Sequence, residues 1–394
     1  MLSTKYLAVK LSFTFTLFVI IFLSRTYYSP IRLGDQSARE PSKTVPAPVP
    51  FSKVTDNSTF GFPKIFFINI PTRFDLLDAA TIQAFLSGVQ FEVFPAVEAN
   101  MVKDKGMPPT HDKERLTGAE KGCWRAHANI WYHMLREELP SALILEGDAA
   151  WDIHVRTIMT NFHEHFTALL HQLNSTQTPN VGRREQAAAA ANDSAQLVFP
   201  DPQDPWHSKH WDILSLSHCA ETPLNHELML RYDDEHVPAG PKSYYGLPLG
   251  SERVVRKSGG IACTTAYAVS RSGAAKLLLR TATDLDLPVD LVIKSMILSG
   301  DLVAYSVQPT IMSQWKYVPG VGMNLRGSDS DVQESTRQEV DDEDPKAWET
   351  ISQTGIVWRP MEYFIDAALK EMTLEVAWKE IFGGERPPLQ VTGV

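Results

Sequence analysis

The sequence predicts an α/β fold built on a parallel sheet that helices cover. Three observations at the start of the globular part support this prediction. Residues 65–68 form a short apolar run typical of a buried strand. An amphipathic stretch follows and ends at Gly88, a residue type that often caps the carboxyl end of a helix. Residues 91–94 are typical of a second strand. In such sheets ligands bind beyond the carboxyl ends of the strands, where Asn69 and Arg73 are expected.

Composition excludes several classes of protein. The chain has 394 residues, of which 43% are hydrophobic and 21% charged, so it can bury a full core. Its formal net charge of -10 argues against a general nucleic-acid binder, because no basic face is available for phosphates. Three cysteines without a CxxC pair exclude a disulfide-stapled scaffold and a CxxC zinc site. At most one bridge can form, and Cys123 is expected to be a small buried apolar group.

The N-terminus carries a predicted targeting segment. Residues 11–24 are apolar and uncharged, with Lys5 and Lys10 before them and Arg25 after them. Fourteen residues are short for a membrane span, which needs about 20, but Lys10 could snorkel and extend it. No A-x-A-like cleavage site follows Ser24, which favours an anchor over a cleaved signal.

The chain then divides into predicted parts. Three N-glycosylation sequons, at Asn57, Asn174 and Asn192, agree with a lumenal domain beyond the anchor, which makes the protein single-pass type II. The parts are a cytoplasmic tail and signal anchor at 1–24, a Pro- and Ser-rich stem at 25–60, a globular domain at 61–384 with a low-complexity surface insertion at 171–205, and a tail at 385–394.

Two carboxylates form the motif with the clearest chemistry. Glu146 and Asp148 follow the apolar run 142–145, and strand periodicity would aim both to one side at the ligand-binding edge. Two hard oxygen ligands suit Mg²⁺ or Mn²⁺ bridging to a diphosphate. The alternative is that this acidic pair caps the next helix.

Other polar residues have a functional and a structural interpretation. Asn69 and Arg73 would hold a nucleotide base or a phosphate, since arginine offers a planar fork of donors, or they belong to a solvated loop. Residues 117–120 have the T-x-x-E form of a capping box, and the helix that follows places His127 on its apolar face. There His127 supports the site from behind or is an ordinary buried histidine.

The order of these segments resembles glycosyltransferase family 25, the group of lipopolysaccharide-type and procollagen galactosyltransferase-like enzymes. Two positions depart from that family. It usually has Glu-Asp-Asp where this chain has Glu146, Gly147 and Asp148, and Ser-His where this chain has Ala126 and His127. The resembling segments, in order, are residues 67–73, 91–97, 122–127, 143–148, 211–214, 259–274, 288–290 and 328–330.

The resemblance implies a GT-A-type, Rossmann-like nucleotide-sugar-binding domain, a nucleoside-diphosphate sugar donor, often UDP-galactose, and a divalent cation, Mn²⁺ or Mg²⁺. It assigns Glu146 and Asp148 to the metal. It places Asp290 near the acceptor, as the base that takes the hydroxyl proton, although Asp290 also suits the N-cap of the apolar helical run after it. Asp329 would contact the donor or is one more charge in an acidic loop.

The sequence therefore predicts a metal-assisted, inverting glycosyltransferase of the Golgi or endoplasmic reticulum membrane, which moves galactose to a glycan or glycoprotein acceptor. Two alternatives remain at this stage. A non-catalytic sugar-binding or scaffold protein would keep the fold without the Glu-Asp-Asp chemistry. A secreted glycosidase would need two carboxyl groups about 5 to 10 Å apart across one sugar, and no such pair follows from the sequence.

The anchor leads to the first testable prediction. If residues 11–24 remain in the mature protein, carbonate-washed membranes should retain it, because alkali does not extract an apolar span from lipid. Glycosidase treatment should lower its mass, because the sequons lie beyond the segment. A soluble secreted product that begins near Arg25 would show that the segment is a cleaved signal instead.

Overall fold

The structure, a computed structural model, describes residues 54–176, 204–238, 240, 242–318, 321, 345–361 and 369–384. The predicted anchor and most of the predicted stem and insertion lie outside these residues, as do the predicted tail and Asp329. Within the described part, no helix combines the length and apolarity that a bilayer span requires.

Strands and helices alternate through the first half of the chain, as the sequence predicts. The strands are β1 Ile65–Asn69, β2 Glu92–Pro95, β3 Ser141–Leu145, β4 Ala149–Trp151, β5 Ile213–Ser217, β6 Ala220–Glu221, β7 Met229–Asp233, β8 Ser243–Tyr244, β9 Leu247–Pro248, β10 Glu252–Lys257, β11 Ile261–Ala262, β12 Ala266–Ser270, β13 Ala304–Gln308, β14 Met312–Tyr317 and β15 Trp358–Pro360. The helices are α1 Phe74–Ser87, α2 Gly118–Arg136, α3 Val155–Thr176, α4 Arg271–Thr283, α5 Val289–Ser299, α6 Pro345–Thr354 and α7 Thr373–Phe382.

Eight strands form one mixed sheet in the order β2-β1-β3-β12-β5-β13-β10-β7. The expected parallel arrangement is correct for β1 with β2 and β3, and for β5 with β13. It is wrong for β12, which runs antiparallel between β3 and β5, and for β10, which runs antiparallel to both of its neighbours. Residues 263–265 lie at the carboxyl end of β3, where the carbonyl of Thr265 accepts the backbone N–H of Glu146, so β12 enters the sheet there and runs back along β3.

Helices cover both faces of this sheet, and the alternation of side chains along each strand supplies the two cores. In β12, Ala266 and Ala268 pack into the core that the apolar side of α3 completes. Tyr267 and Val269 point to the other face and pack with α2, α4 and α5. Strands such as β3 are buried throughout, because apolar residues are needed on both faces.

The start of α2 confirms the predicted capping box. Thr117 is the N-cap, its hydroxyl accepts the backbone N–H of Glu120, and the Glu120 carboxylate accepts the backbone N–H of Thr117. These bonds fix where the helix begins and so which residues face the sheet. His127 is buried on that face, as its position in the apolar stripe predicts.

Candidate functional site

A cavity of about 510 Å³ lies at the carboxyl ends of β1 and β3, against the first turns of α2. Gly122 brings the helix close to its wall. A Cβ at this position would lie 2.3 Å from the backbone oxygen of Val97, so only glycine permits the contact. The charged residues of the lining are Arg73, Glu98, Glu146 and Asp148, and the partly buried thiol of Cys123 and the ring of His127 lie among them.

Residues 146–148 form a tight turn between β3 and β4. The next element is therefore a strand, and the interpretation of this acidic pair as a helix cap is wrong. Both carboxylates lie beyond the end of β3. Their directions are therefore set by the turn and its hydrogen bonds, and not by the alternation of side chains along the strand as expected. The backbone N–H of Glu146 donates to the carbonyl of Thr265, which ties the turn to the start of β12.

The Glu146 carboxylate is held from two sides. Its Oε1 atom accepts the hydroxyl of Thr264 at 2.6 Å and pairs with Nε2 of His127 at 3.1 Å. No partner of Oε2 occurs among the described residues, although Glu146 lines the cavity. The two bonds therefore fix the direction of the side chain and leave one oxygen for a ligand.

A buried chain of hydrogen bonds joins His127 to Tyr267 and Trp131. The indole Nε1 of Trp131 lies 3.1 Å from the Tyr267 hydroxyl oxygen, and the same oxygen lies 3.0 Å from Nδ1 of His127. Because an indole only donates, the tyrosine oxygen accepts from it and its own hydrogen can go to Nδ1. Nε2 then carries the proton and donates it to Glu146. Burial raises the pKa of Tyr267 well above its usual value, so the hydroxyl keeps that hydrogen.

Asp148 and Gly147 are packed against other elements. Gln314 in β14 donates its side-chain amide to Oδ2 of Asp148, and the Asp148 carbonyl accepts the backbone N–H of Trp315. A Cβ on Gly147 would lie 2.9 Å from Cδ1 of Leu76 and 3.3 Å from the carbonyl of Ile68. A side chain at 147 would therefore have to displace Leu76.

Asn69 and Arg73 take different places relative to the cavity. Asn69 is 4% exposed, and its amide donates to the carbonyl of Ile70, which itself belongs to the lining. Arg73 belongs to the lining, but its Nε and Nη2 atoms each donate at 2.8 Å to Asp75. Burial alone would raise the pKa of Asp75, and the hydrogen bond and charge of Arg73 reverse that effect and lower it. This pairing offsets most of the positive charge of Arg73.

Asp290 does not cap its helix, contrary to the N-cap interpretation. Pro288 occupies the N-cap of α5, because its extended ψ leaves Val289 as the first helical residue, and Asp290 lies in the first turn. Its Oδ2 accepts the backbone N–H of Cys263 at 3.1 Å and its Oδ1 accepts the N–H of Leu291 at 2.8 Å. Asp290 is thus tied to the loop that precedes β12.

Hydrogen bonds bring three of the predicted acids to the same end of the sheet. Glu146 and Asp148 belong to one turn in the cavity lining, and the neighbouring residues Thr264 and Cys263 donate to Glu146 and Asp290. Burial raises the pKa of the Cys123 thiol well above its usual value, and the charges of Glu146, Asp290 and Asp148 raise it further.

Among the described residues, three groups have side chains placed to hold a metal ion, and one of them, Cys123 with His127 and Glu146, borders the cavity. Its ligand atoms lie within 4.8 Å of one another. The high pKa of the Cys123 thiol opposes the thiolate that metals bind, and Nε2 of His127 already donates to Glu146. The remaining donors are carboxylate oxygens, which suit a hard cation such as Mg²⁺ or Mn²⁺.

The residues that build this site around the acids carry no recognisable motif. Thr264, Tyr267, Trp131 and Gln314 contact functional side chains from distant segments. The alternation of side chains along β12 could have predicted that Tyr267 lies on the sheet face that α2 covers. No sequence signal pairs it with His127.

Residues 62–195 match the family described as Glycosyltransferase family 25 (LPS biosynthesis protein). Two curated proteins described as Glycosyltransferase 25 family member are similar to this chain. The Drosophila melanogaster protein is 27% identical over 115 residues, which cover 26% of this chain and 19% of the relative. The Drosophila pseudoobscura pseudoobscura protein is 30% identical over 119 residues, which cover 27% of this chain and 19% of the relative. The match thus spans about a fifth of the length of these relatives.

The matched segment contains the turn with Glu146 and Asp148 and ends before Asp290. Among solved structures, one titled Crystal Structure of A197 from STIV aligns with 65% of this chain and 85% of its own, at 9% identity. Its TM-score of 0.26 is too low to support a conclusion about this protein.

The buried hydrogen-bond chain gives a second testable prediction. Tyr267→Phe removes the hydroxyl and leaves the Trp131 indole N–H and Nδ1 of His127 buried without partners. We expect a loss of unfolding free energy of about 1–3 kcal/mol, the usual cost of a buried unsatisfied polar group, measured by urea denaturation. Tyr132→Phe, at an exposed position of α2, is the control. Equal stability of the two variants would show that Tyr267 does not hold His127.

Proposed function

We propose that this chain, which belongs to glycosyltransferase family 25 through its residues 62–195, transfers a sugar from a nucleoside-diphosphate donor with the help of a divalent cation. The observation that carries the proposal is the pair of carboxylates, Glu146 and Asp148, in the cavity lining at the carboxyl edge of the sheet, with Asp290 tied to the segment that holds Glu146. This edge is where open α/β sheets bind their ligands.

The charge of the cavity supports the cation. Three carboxylates, those of Glu98, Glu146 and Asp148, belong to the lining, whereas Arg73 is its one cationic side chain among the described residues and is paired with Asp75. A diphosphate would be repelled by this surface unless a cation compensated the charge. Glu146 and Asp148 would hold Mn²⁺ or Mg²⁺, which would neutralise the charge that develops on the departing nucleoside diphosphate.

The residues of the chain itself would bind and orient the reactants. Arg73 at the cavity wall would contact the phosphates or the nucleoside, while His127 and Thr264 keep Glu146 directed at the cavity. Asp290 would accept the proton of the acceptor hydroxyl as its oxygen bonds to the anomeric carbon and the bond from that carbon to the phosphate breaks. Attack opposite the departing phosphate inverts the configuration of the sugar.

The finer assignments rest on the family resemblance. The donor would be UDP-galactose and the acceptor a glycan or glycoprotein, and the protein would act in the Golgi or endoplasmic reticulum membrane with its domain in the lumen. Asn69, buried beside the carbonyl of Ile70, would support the donor site from beneath the lining. Asp329 is a further expected donor contact.

One observation favours a non-catalytic sugar-binding protein as the second candidate. The family's middle carboxylate is absent at Gly147, and packing against Leu76 and Ile68 leaves little room to replace it. The cation would then have two carboxylates from the turn instead of three. Donor binding without hydrolysis or transfer by the purified protein would support this alternative.

Asp148→Asn tests the role of the cation. The substitution keeps an oxygen that accepts the Gln314 amide, so the fold should survive, but it removes the charge that a hard cation requires. We expect Mn²⁺-dependent hydrolysis or transfer, screened across UDP- and GDP-sugars, to fall by about 10²-fold or more in kcat/KM. Asp301→Asn, at an exposed position, is the control. Unchanged activity, or full wild-type activity in a chelator, would remove the cation from the proposal.

Asp290→Asn separates chemistry from binding. Asparagine keeps one oxygen for the N–H of Cys263, loses the acceptor for the exposed N–H of Leu291 and cannot take a proton, so stability should fall only slightly and donor affinity should change little. Transfer to the acceptor should fall by about 10²- to 10⁴-fold in kcat, the usual effect of removing general-base catalysis. Steady-state kinetics with donor and acceptor varied separately measures both effects. Wild-type kcat in the variant would show that another group acts as the base.

A further inference from the structure

Three consecutive residues before β12 contact two acids of the site, Glu146 and Asp290. The backbone N–H of Cys263 donates to Oδ2 of Asp290 at 3.1 Å. The hydroxyl of Thr264 donates to Oε1 of Glu146 at 2.6 Å. The carbonyl of Thr265 accepts the backbone N–H of Glu146 at 2.9 Å. Glu146 follows β3 and Asp290 belongs to α5, so this short segment joins two elements that are separate in the sequence.

Little regular structure holds this segment in place. It follows β11, which pairs with β6 over only two residues of each strand. The backbone of Cys263 has a φ of 70°, a left-handed conformation that residues with a Cβ rarely adopt because of steric crowding. A segment in this conformation needs an external restraint to remain there.

A disulfide between Cys219 and Cys263 provides that restraint. The backbone N–H of Cys219 also donates to the carbonyl of Ala262, so the bridge and the short pairing of β6 with β11 act at the same point. Thr264 is only 5% exposed, so water cannot readily replace its hydrogen bond to Glu146.

We propose that residues 263–265 are a positioning clamp for Glu146 and Asp290, and that the Cys219–Cys263 disulfide holds the clamp in shape. The effect on catalysis rests on the proposed function, whereas the clamp itself rests only on these contacts. Thr264 is then a positioning residue that acts through Glu146, and the bridge sets the place of the acceptor-side acid relative to the donor-side acid.

Reduction of the bridge should release the clamp. A dithiol reagent such as dithiothreitol gives two hydrogens to the sulfurs of Cys219 and Cys263 and becomes a cyclic disulfide itself. No other disulfide is possible with the single remaining cysteine, Cys123. The effect of the reagent can therefore be assigned to this bridge.

Substitutions of Thr264 test the positioning role. Thr264→Val keeps the shape and removes the hydroxyl, and we expect kcat for transfer to fall about 10- to 100-fold with a smaller change in the donor KM, because a misdirected carboxylate disturbs the reacting geometry. Thr264→Ser keeps the hydroxyl and should restore most of that loss. Thr81→Val, at an exposed position of α1, is the matched control. Equal losses in the Val and Ser variants would assign the effect to packing and overturn the role of the hydroxyl.

Hydrogen exchange of the full chain tests the clamp without reference to activity. After reduction, peptides that contain the amides of Glu146 and Cys263 should exchange at least about tenfold faster, because both amides donate within the clamp, while those of Ala268 in the middle of β12 stay protected. The double variant Cys219→Ser with Cys263→Ser should behave like the reduced protein and ignore the reagent. Unchanged exchange on reduction would overturn the clamp, whatever the activity. Absence of transfer in the wild type would overturn only the proposed function.

Discussion

The antiparallel pairing of β12 with β3 is the constraint on which the site depends. It brings the amino end of β12 to the carboxyl end of β3, where the turn with Glu146 and Asp148 begins. Thr264 and Thr265 can contact Glu146 only because the chain enters the sheet at that point. The same pairing sends Tyr267 to the face that α2 covers, where it meets His127. With a parallel β12, its amino end would lie at the opposite edge of the sheet.

Burial and hydrogen bonding divide the polar groups of the site into two kinds. Trp131, Tyr267 and His127 are buried and form hydrogen bonds with one another, and that arrangement fixes the orientation of the histidine ring. This hydrogen-bond chain opposes metal binding at His127, because a metal would occupy the nitrogen that donates a hydrogen bond to Glu146. Glu146 and Asp148 instead combine a held oxygen with a position on the cavity lining. Both residues therefore border the cavity, where a ligand would bind.

The cavity lining has a negative potential, because it carries three carboxylates and one arginine, which is paired with Asp75. Burial raises the pKa of the Cys123 thiol in this lining, and the charges of Glu146, Asp290 and Asp148 add to that effect. Proteins tolerate such potentials where a cation or a catalytic proton transfer makes use of them. The close packing of Gly147 against Leu76 disfavours a third carboxylate in the turn, which would increase the repulsion between the acids.

The sequence by itself determined the local features of this protein. Apolar runs located β1 and β3, the T-x-x-E pattern located the start of α2, and period 3.6 put His127 on its buried face. These features depend on interactions within a few residues, so a pattern in the chain is enough to reveal them. The order of segments also pointed to the family whose model residues 62–195 match.

Only the tertiary structure decided which side chains meet. Thr264 and Glu146 are 118 residues apart, and Asp290 lies 27 residues from its partner Cys263. The prediction of a parallel sheet failed at β12, because hydrophobic periodicity shows that a strand is buried but carries no information about its direction or its neighbours. The N-cap prediction for Asp290 failed for a related reason, since Pro288 sets the start of α5 and the carboxylate turns to a loop that the sequence places far away. Strand order and direction, which arise from the packing of the whole sheet, brought these residues together.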